Sequence, residues 1–181
     1  ITQLQVAVEK GEKSALAFAL LGLAEERTNK FEEAFADYSR AIEIDATSAT
    51  ALEGRARLHE KKGAFDKAIS DYSASYKAQP SREVALHLAS LYGRAGQVQA
   101  AISIYRRLLV EKPDDLPVRI EMAQLMHENG QAEEAAKEVE KLLTVQSSNA
   151  RLLVLAGDIH FTTKPDAAAE SYLKVIARNP K

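Results

Sequence analysis

The sequence predicts an all-α protein, a right-handed superhelical solenoid of antiparallel helix pairs. The main observation is a spacing of small and large apolar residues that recurs about every 34 residues along the whole chain of 181 residues. A second observation is the lack of any sustained alternation of polar and apolar residues, which a half-buried strand would need. Because one helix pair cannot bury its apolar face alone, we expect stacked pairs to bury a continuous strip.

The small residues of this pattern occupy matching places in five units. In the second half of each unit, a small residue is followed four positions later by a larger one, on the same helical face. These pairs are Ala34 with Tyr38, Ala68 with Tyr72, Ala101 with Tyr105, Ala135 with Val139, and Ala168 with Tyr172. The first half carries Gly22, Ala56, Ala89, Ala123 and Gly157 at the matching place. Small residues there predict a close approach of two helices, and we expect the tyrosines to belong to the core.

Turn residues separate the two halves of most units. Asn29, Gly63, Gly96 and Gly130 tolerate the left-handed conformation that ends a helix. The fifth turn, around Thr162 and Pro165, departs from this pattern. We therefore expect ten helices near Ser14–Thr28, Phe31–Ile44, Ala49–Lys62, Phe65–Ala78, Arg82–Arg94, Val98–Glu111, Leu116–Glu128, Ala132–Val145, Ala150–Phe161 and Pro165–Ala177.

These helices define five repeats and a partial one. Residues 1–13 resemble the second helix of a truncated preceding repeat, and repeats 1 to 5 are expected at 14–48, 49–81, 82–115, 116–149 and 150–181. The chain begins with Ile1 and not with methionine, so we expect a fragment of a longer repeat protein. Uncapped repeats expose apolar helix faces, which predicts end-to-end self-association through the termini.

Composition narrows the class of partner. Lys plus Arg number 24 and Asp plus Glu number 26, so the net charge of −2 gives no bulk reason to expect nucleic acid. No apolar run is long enough to predict direct membrane insertion. The absence of cysteine excludes a disulfide or a thiolate metal site and is compatible with the cytoplasm or the periplasm.

The repeated residues resemble the tetratricopeptide repeat family. Its signature is an aromatic residue, leucine, glycine, tyrosine, alanine, an aromatic residue, alanine and proline at set offsets. The first unit matches with Phe18, Leu21, Gly22, Phe31, Ala34, Tyr38 and Ala41. The third unit matches with Leu88, Ala89, Tyr92, Gly96, Ala101, Tyr105 and Pro113. The fourth unit lacks its aromatic residue and its proline. The resemblance implies a protein–protein interaction or scaffolding module that binds a partner peptide or helix in a concave groove.

No residue constellation predicts chemistry. The sequence contains no nucleophile with a matching base and no glycine-rich phosphate loop, so we expect no enzyme, no cofactor and no metal. The four histidines lie in four different units and are expected to be structural. They are His59, His87, His127 and His160.

The groove-facing positions of the first helices are the predicted binding site. By the register of the resemblance, they are Leu16, Leu20, Leu23, Arg27, Glu53, Arg57, Lys61, His87, Ser90, Arg94, Gln124, His127 and Asp158. Glu121, Val154 and Phe161 belong to the same series. The series is apolar first, basic in the middle and mixed beyond, which would suit a segment with apolar anchors and some acidic residues.

A second class of function fits the same pattern. The segment would then be a rigid structural spacer within a bacterial envelope or secretion assembly, with no ligand in the groove. A groove that binds a peptide distinguishes the interaction module from the spacer.

Overall fold

The computed structural model describes residues 14–161 and 163–177 of the chain. Within them every regular element is an α-helix: α1 Ala15–Arg27, α2 Phe31–Ile44, α3 Ala49–Lys61, α4 Phe65–Ala78, α5 Arg82–Arg94, α6 Val98–Glu111, α7 Leu116–Glu128, α8 Ala132–Val145, α9 Ala150–His160 and α10 Pro165–Ile176. The all-α prediction is confirmed, and each described helix begins and ends within one residue of its expected limits. The partial repeat at 1–13 and the turn residue Thr162 lie outside the described residues, and the repeat limits stay a prediction.

The helices form two compact units, Ile1–Gln97 and Val98–Lys181. In the first unit, α1 packs on α2 and α3 packs on α4, while α2 also contacts α3 and α4 contacts α5. In the second unit, α7 packs on α8, α9 packs on α10, and α8 also contacts α9. The connections between these helices are only three or four residues long, as is usual for antiparallel neighbours. The first helices of adjacent pairs also meet, as α1 with α3 and α7 with α9.

The turns inside the pairs share one geometry. The predicted turn residues all have positive φ, between 61° at Asn29 and 79° at Gly130. In each turn, the following amide donates to a carbonyl five residues earlier, for example Lys30 N to Glu25 O at 2.9 Å and Gln131 N to Met126 O at 2.8 Å. This is the hydrogen bond of a Schellman motif, which satisfies a helix-end carbonyl and reverses the chain. The prediction of left-handed turn residues is confirmed.

Tyrosine rings fill the space left by small residues in the first unit. Tyr38 is fully buried, and its ring lies against Gly22 of α1 and Gly54 of α3. A Cβ atom added at Gly54 would overlap this ring. One aromatic side chain on α2 therefore packs both the helix before it and the helix after it. The importance of Gly54 was not predicted from the repeat pattern.

The second unit is built in the same way, with one difference. Tyr105 and Val139 are buried, and a Cβ atom at Gly157 would overlap the ring of Tyr172. Tyr172, however, is only partly buried, because no helix follows α10 among the described residues. The expectation of a tyrosine core is thus met at Tyr38, Tyr72 and Tyr105 and is wrong in degree at Tyr172.

A pair of carboxylates is buried in the first unit. Glu25 of α1 is 4% exposed and Asp37 of α2 is 7% exposed. Burial raises the pKa of Glu25 to about 7, and the charge of Asp37 and a hydrogen bond between the two side chains contribute to the same shift. Asp37 also accepts a hydrogen bond from Arg40 at 3.3 Å. A protonated Glu25 can share its proton with the Asp37 carboxylate, whereas two buried ionised carboxylates would repel each other.

We expect Gly54→Ala to destabilise the chain by about 1–3 kcal/mol, because the new methyl group has to displace the Tyr38 ring. Chemical unfolding followed by circular dichroism measures the change. Thr50→Ala is the matched control, since Thr50 is exposed on the same helix, and it should leave the free energy of unfolding unchanged or slightly raised. Equal stability of Gly54→Ala and the wild type would show that the Tyr38 ring is not tightly held.

We also expect the stability that protonated Glu25 contributes to be lost as the pH rises from about 4.5 through 7. The unfolded Glu25 ionises near its usual pKa of 4.5, whereas the folded Glu25 keeps its proton to about 7, so the folded state has the higher proton affinity. Glu25→Gln should match the wild type near pH 5 and exceed it near pH 8 by on the order of 1–3 kcal/mol.

Glu26→Gln is a control with the opposite sign. Burial raises the pKa of Glu26, but hydrogen bonds from Arg57 and Tyr38 outweigh it and lower the pKa overall. The stability from ionised Glu26 is present above its unfolded pKa, so Glu26→Gln should destabilise the chain near pH 8. A Glu25→Gln protein no more stable than the wild type at pH 8 would contradict the buried acid pair.

Candidate partner-binding surfaces

A cleft of about 400 Å³ lies in the second unit, with walls from α7 and α9. Its apolar residues are Ile120 and Leu155, which are buried, and Val154, which is 40% exposed. The polar side chains that line it are Gln124, His127, Glu128, Arg151 and Asp158. The cleft therefore brings together Gln124, His127, Val154 and Asp158 of the predicted groove series, whereas Glu121 and Phe161 do not line it.

The hydrogen bonds of these side chains pair the cation of the cleft with an opposite charge but leave two carboxylates without one. The Arg151 guanidinium donates to Glu121, so this cation is already paired. Glu128 accepts from the Gln124 amide at 2.9 Å, and Asp158 accepts from the Tyr172 hydroxyl at 2.7 Å. Within the described part of the chain, both of these carboxylates are bound only by uncharged donors.

One wall of the cleft also carries an unpaired polar atom. Nδ1 of His127 is buried and has no hydrogen-bond partner among the described residues. An unsatisfied buried polar atom costs free energy that a hydrogen bond would recover. Because this atom is buried, it is not itself accessible to a chain that lies in the cleft.

In the first unit, the predicted groove residues of α1 form an apolar stripe. Leu16 is 62% exposed and Leu20 is 38% exposed, four residues apart on one face. Leu23 continues the face but is partly buried against the core of the unit. Arg27 is exposed at the end of the same helix.

The basic residues predicted in the middle of the groove have intramolecular partners. Arg57 donates to both oxygens of Glu26, at 3.2 Å and 2.8 Å, and Glu26 also accepts from the Tyr38 hydroxyl at 2.9 Å. Arg94 donates to Glu60. Their charges are therefore largely neutralised within the unit.

Aromatic rings contact two of the predicted groove cations of the first unit. The Lys61 ammonium lies 4.1 Å from the centroid of the Phe31 ring, and the Arg94 guanidinium lies 4.4 Å from that of Phe65. Phe31 and Phe65 hold matching positions in consecutive repeats, so the same contact recurs. In addition to facing solvent, Lys61 stabilises the packing of α3 against α2, and Arg94 stabilises the packing of α5 against α4.

Some of the remaining predicted groove residues of the first unit have intramolecular contacts, and others are exposed. Glu53 accepts from the Ser75 hydroxyl at 2.8 Å. His87 is exposed but stacks on Tyr72, with ring centroids 5.6 Å apart. Ser90 is exposed. Participation of all these residues in partner binding stays a prediction.

The four histidines have separate surroundings. His59 contacts the edge of Phe35, and its Nε2 lies 3.9 Å from Asp71; burial lowers its pKa. His160 is buried, and its Nε2 lies 3.6 Å from Glu140. Among the described residues, no group of three or more potential ligands is placed to hold a metal ion.

Four lining residues of the cleft were missed from the sequence: Ile120, Glu128, Arg151 and Leu155. Glu128 could have been found by aligning the repeats. Arg27, Lys61 and Arg94 hold the corresponding position in the first three repeats, so the sign of the charge changes at Glu128. The two apolar residues resemble ordinary core residues in sequence.

The described helices also differ from a helix that crosses a membrane. None of the helices in the described ranges combines the length and apolar character that a bilayer-crossing segment needs.

Comparisons with solved structures agree on the fold. YrrB, a tetratricopeptide repeat protein with an unusual peptide-binding site, superposes with a TM-score of 0.79 at 19% identity, over 98% of this chain and 93% of that chain. A tetratricopeptide repeat protein from Parabacteroides merdae gives 0.75 at 22% identity, over 98% and 72%. MamA gives 0.78 at 16% identity, over 92% of each chain. No curated protein sequence matches this one.

Family models give the assignment. One tetratricopeptide repeat model matches residues 1–49 and 53–115, which is more than half of the chain, and another matches residues 94–159. These matches contain the four positive-φ turns and the contacts of Tyr38 with Gly22 and Gly54. The chain belongs to the tetratricopeptide repeat family.

Proposed function

We propose that this chain is a protein-interaction module that binds a peptide or helix of a partner protein in the cleft between α7 and α9. Tetratricopeptide repeats generally mediate protein–protein interaction. The observation that carries the proposal is the cleft itself, where apolar residues are surrounded by polar side chains. This combination suits an apolar anchor followed by backbone hydrogen bonds.

Two further observations support the proposal. The apolar stripe of Leu16 and Leu20 offers a second surface of the same kind within the first unit. YrrB, which shares the fold, has an unusual peptide-binding site. The family and fold are typically non-catalytic, and we assign this segment no reaction and no cofactor.

Val154→Ser tests the proposal. Peptides that bind the intact chain are selected from a displayed library of random peptides of about nine residues. The selected peptides are then synthesised, and their affinity for the chain is measured by fluorescence anisotropy. We expect Val154→Ser to weaken the affinity of the selected peptides by roughly threefold to tenfold, because Val154 supplies the exposed apolar contact of the cleft.

Val145→Ser is the matched control. Val145 is 80% exposed near the end of α8 and does not line the cleft. It should leave the peptide affinity unchanged. Peptides that bind both variants as tightly as the wild type would exclude this cleft as the site. Failure to select any peptide that binds the chain would instead favour a spacer without a groove ligand.

A further inference from the structure

The charges of the cleft indicate which peptides it selects. Glu128 stands at the end of α7, and Asp158 lies in the last turn of α9. The carbonyl ends of both helices carry partial negative charge, which adds to the two carboxylates. Arg151, the one arginine or lysine among the lining residues, is already paired with Glu121. This end of the cleft is therefore negative.

The first unit shows how a similar carboxylate is neutralised. There, the Tyr38 hydroxyl holds Glu26, and Arg57 binds both oxygens of the same carboxylate. In the second unit, the Tyr172 hydroxyl holds Asp158 in a comparable way, but among the described residues no cation follows. The Tyr172 hydroxyl therefore orients the Asp158 carboxylate, which is exposed and can bind a cation that enters the cleft.

We infer that the cleft between α7 and α9 binds a segment that carries a lysine or arginine next to an apolar side chain. The cation lies against Glu128 and Asp158, and the apolar side chain lies on Ile120, Val154 and Leu155. Charge complementarity of this kind favours basic partners and disfavours acidic ones. The inference rests on the proposed function, since it names the chemistry of the partner at the same site.

The test uses the peptides selected on the intact chain. We expect the Val154-dependent peptides to be enriched in lysine or arginine beside an apolar residue. Glu128→Gln combined with Asp158→Asn should weaken their binding roughly tenfold, because both attractive charges are removed. The same binding should weaken as salt concentration rises.

Glu111→Gln combined with Asp114→Asn is the matched control. It makes the same two substitutions and the same change in net charge at exposed residues outside the cleft, and it should leave binding unchanged. Both amides that replace Glu128 and Asp158 still accept the hydrogen bonds from Gln124 and Tyr172, so the fold is expected to persist, as circular dichroism can verify.

The outcomes separate this inference from the function on which it rests. Val154-dependent peptides without enrichment in basic residues, or with unchanged affinity for the doubly neutralised cleft, would overturn the basic partner and leave the peptide-binding function standing. The same holds for enrichment in acidic residues. If no peptide depends on Val154, both the function and the inference fail.

Discussion

The packing of a tyrosine ring against glycine on the neighbouring helices is the contact on which this structure depends. Tyr38 can be fully buried only because Gly22 and Gly54 leave room for it on both sides. In the first unit, this close approach brings α1 and α3, the first helices of successive pairs, together. In the second unit, where α8 carries Val139 at the matching place, α7 and α9 also meet. The surface that a partner can contact is therefore a product of core packing.

The same tyrosines connect the core with the exposed face. The Tyr38 ring is buried and the Tyr172 ring is partly buried, but the hydroxyl of Tyr38 reaches Glu26 and that of Tyr172 reaches Asp158. A hydrogen bond to a carboxylate fixes its position without neutralising its charge. In the first unit, Arg57 also binds this carboxylate, whereas in the second unit the described residues place no cation on Asp158. The same contact between hydroxyl and carboxylate therefore occurs with an ion pair in the first unit and, among the described residues, without one in the second.

Much of the fold could be predicted from the sequence because repetition reinforces each local signal. A single pair such as Ala68 and Tyr72 is weak evidence, but five such pairs in register predict helices, turns and core together. The site was less predictable because register indicates which residues face the groove but not what they contact. Arg57 and Lys61 looked like free cations in sequence, and the structure pairs one with Glu26 and places the other over Phe31. Only distances between separate helices distinguish these cases.

The central claim, that the cleft between α7 and α9 receives a partner chain, can be tested directly by methyl nuclear magnetic resonance of the intact chain with a bound peptide. The account predicts intermolecular Overhauser contacts from the peptide to the methyl groups of Ile120, Val154 and Leu155. It predicts none to Val110 or Val145, which are exposed outside the cleft. Contacts to Val110 or Val145 without contacts to Val154 would contradict the claim.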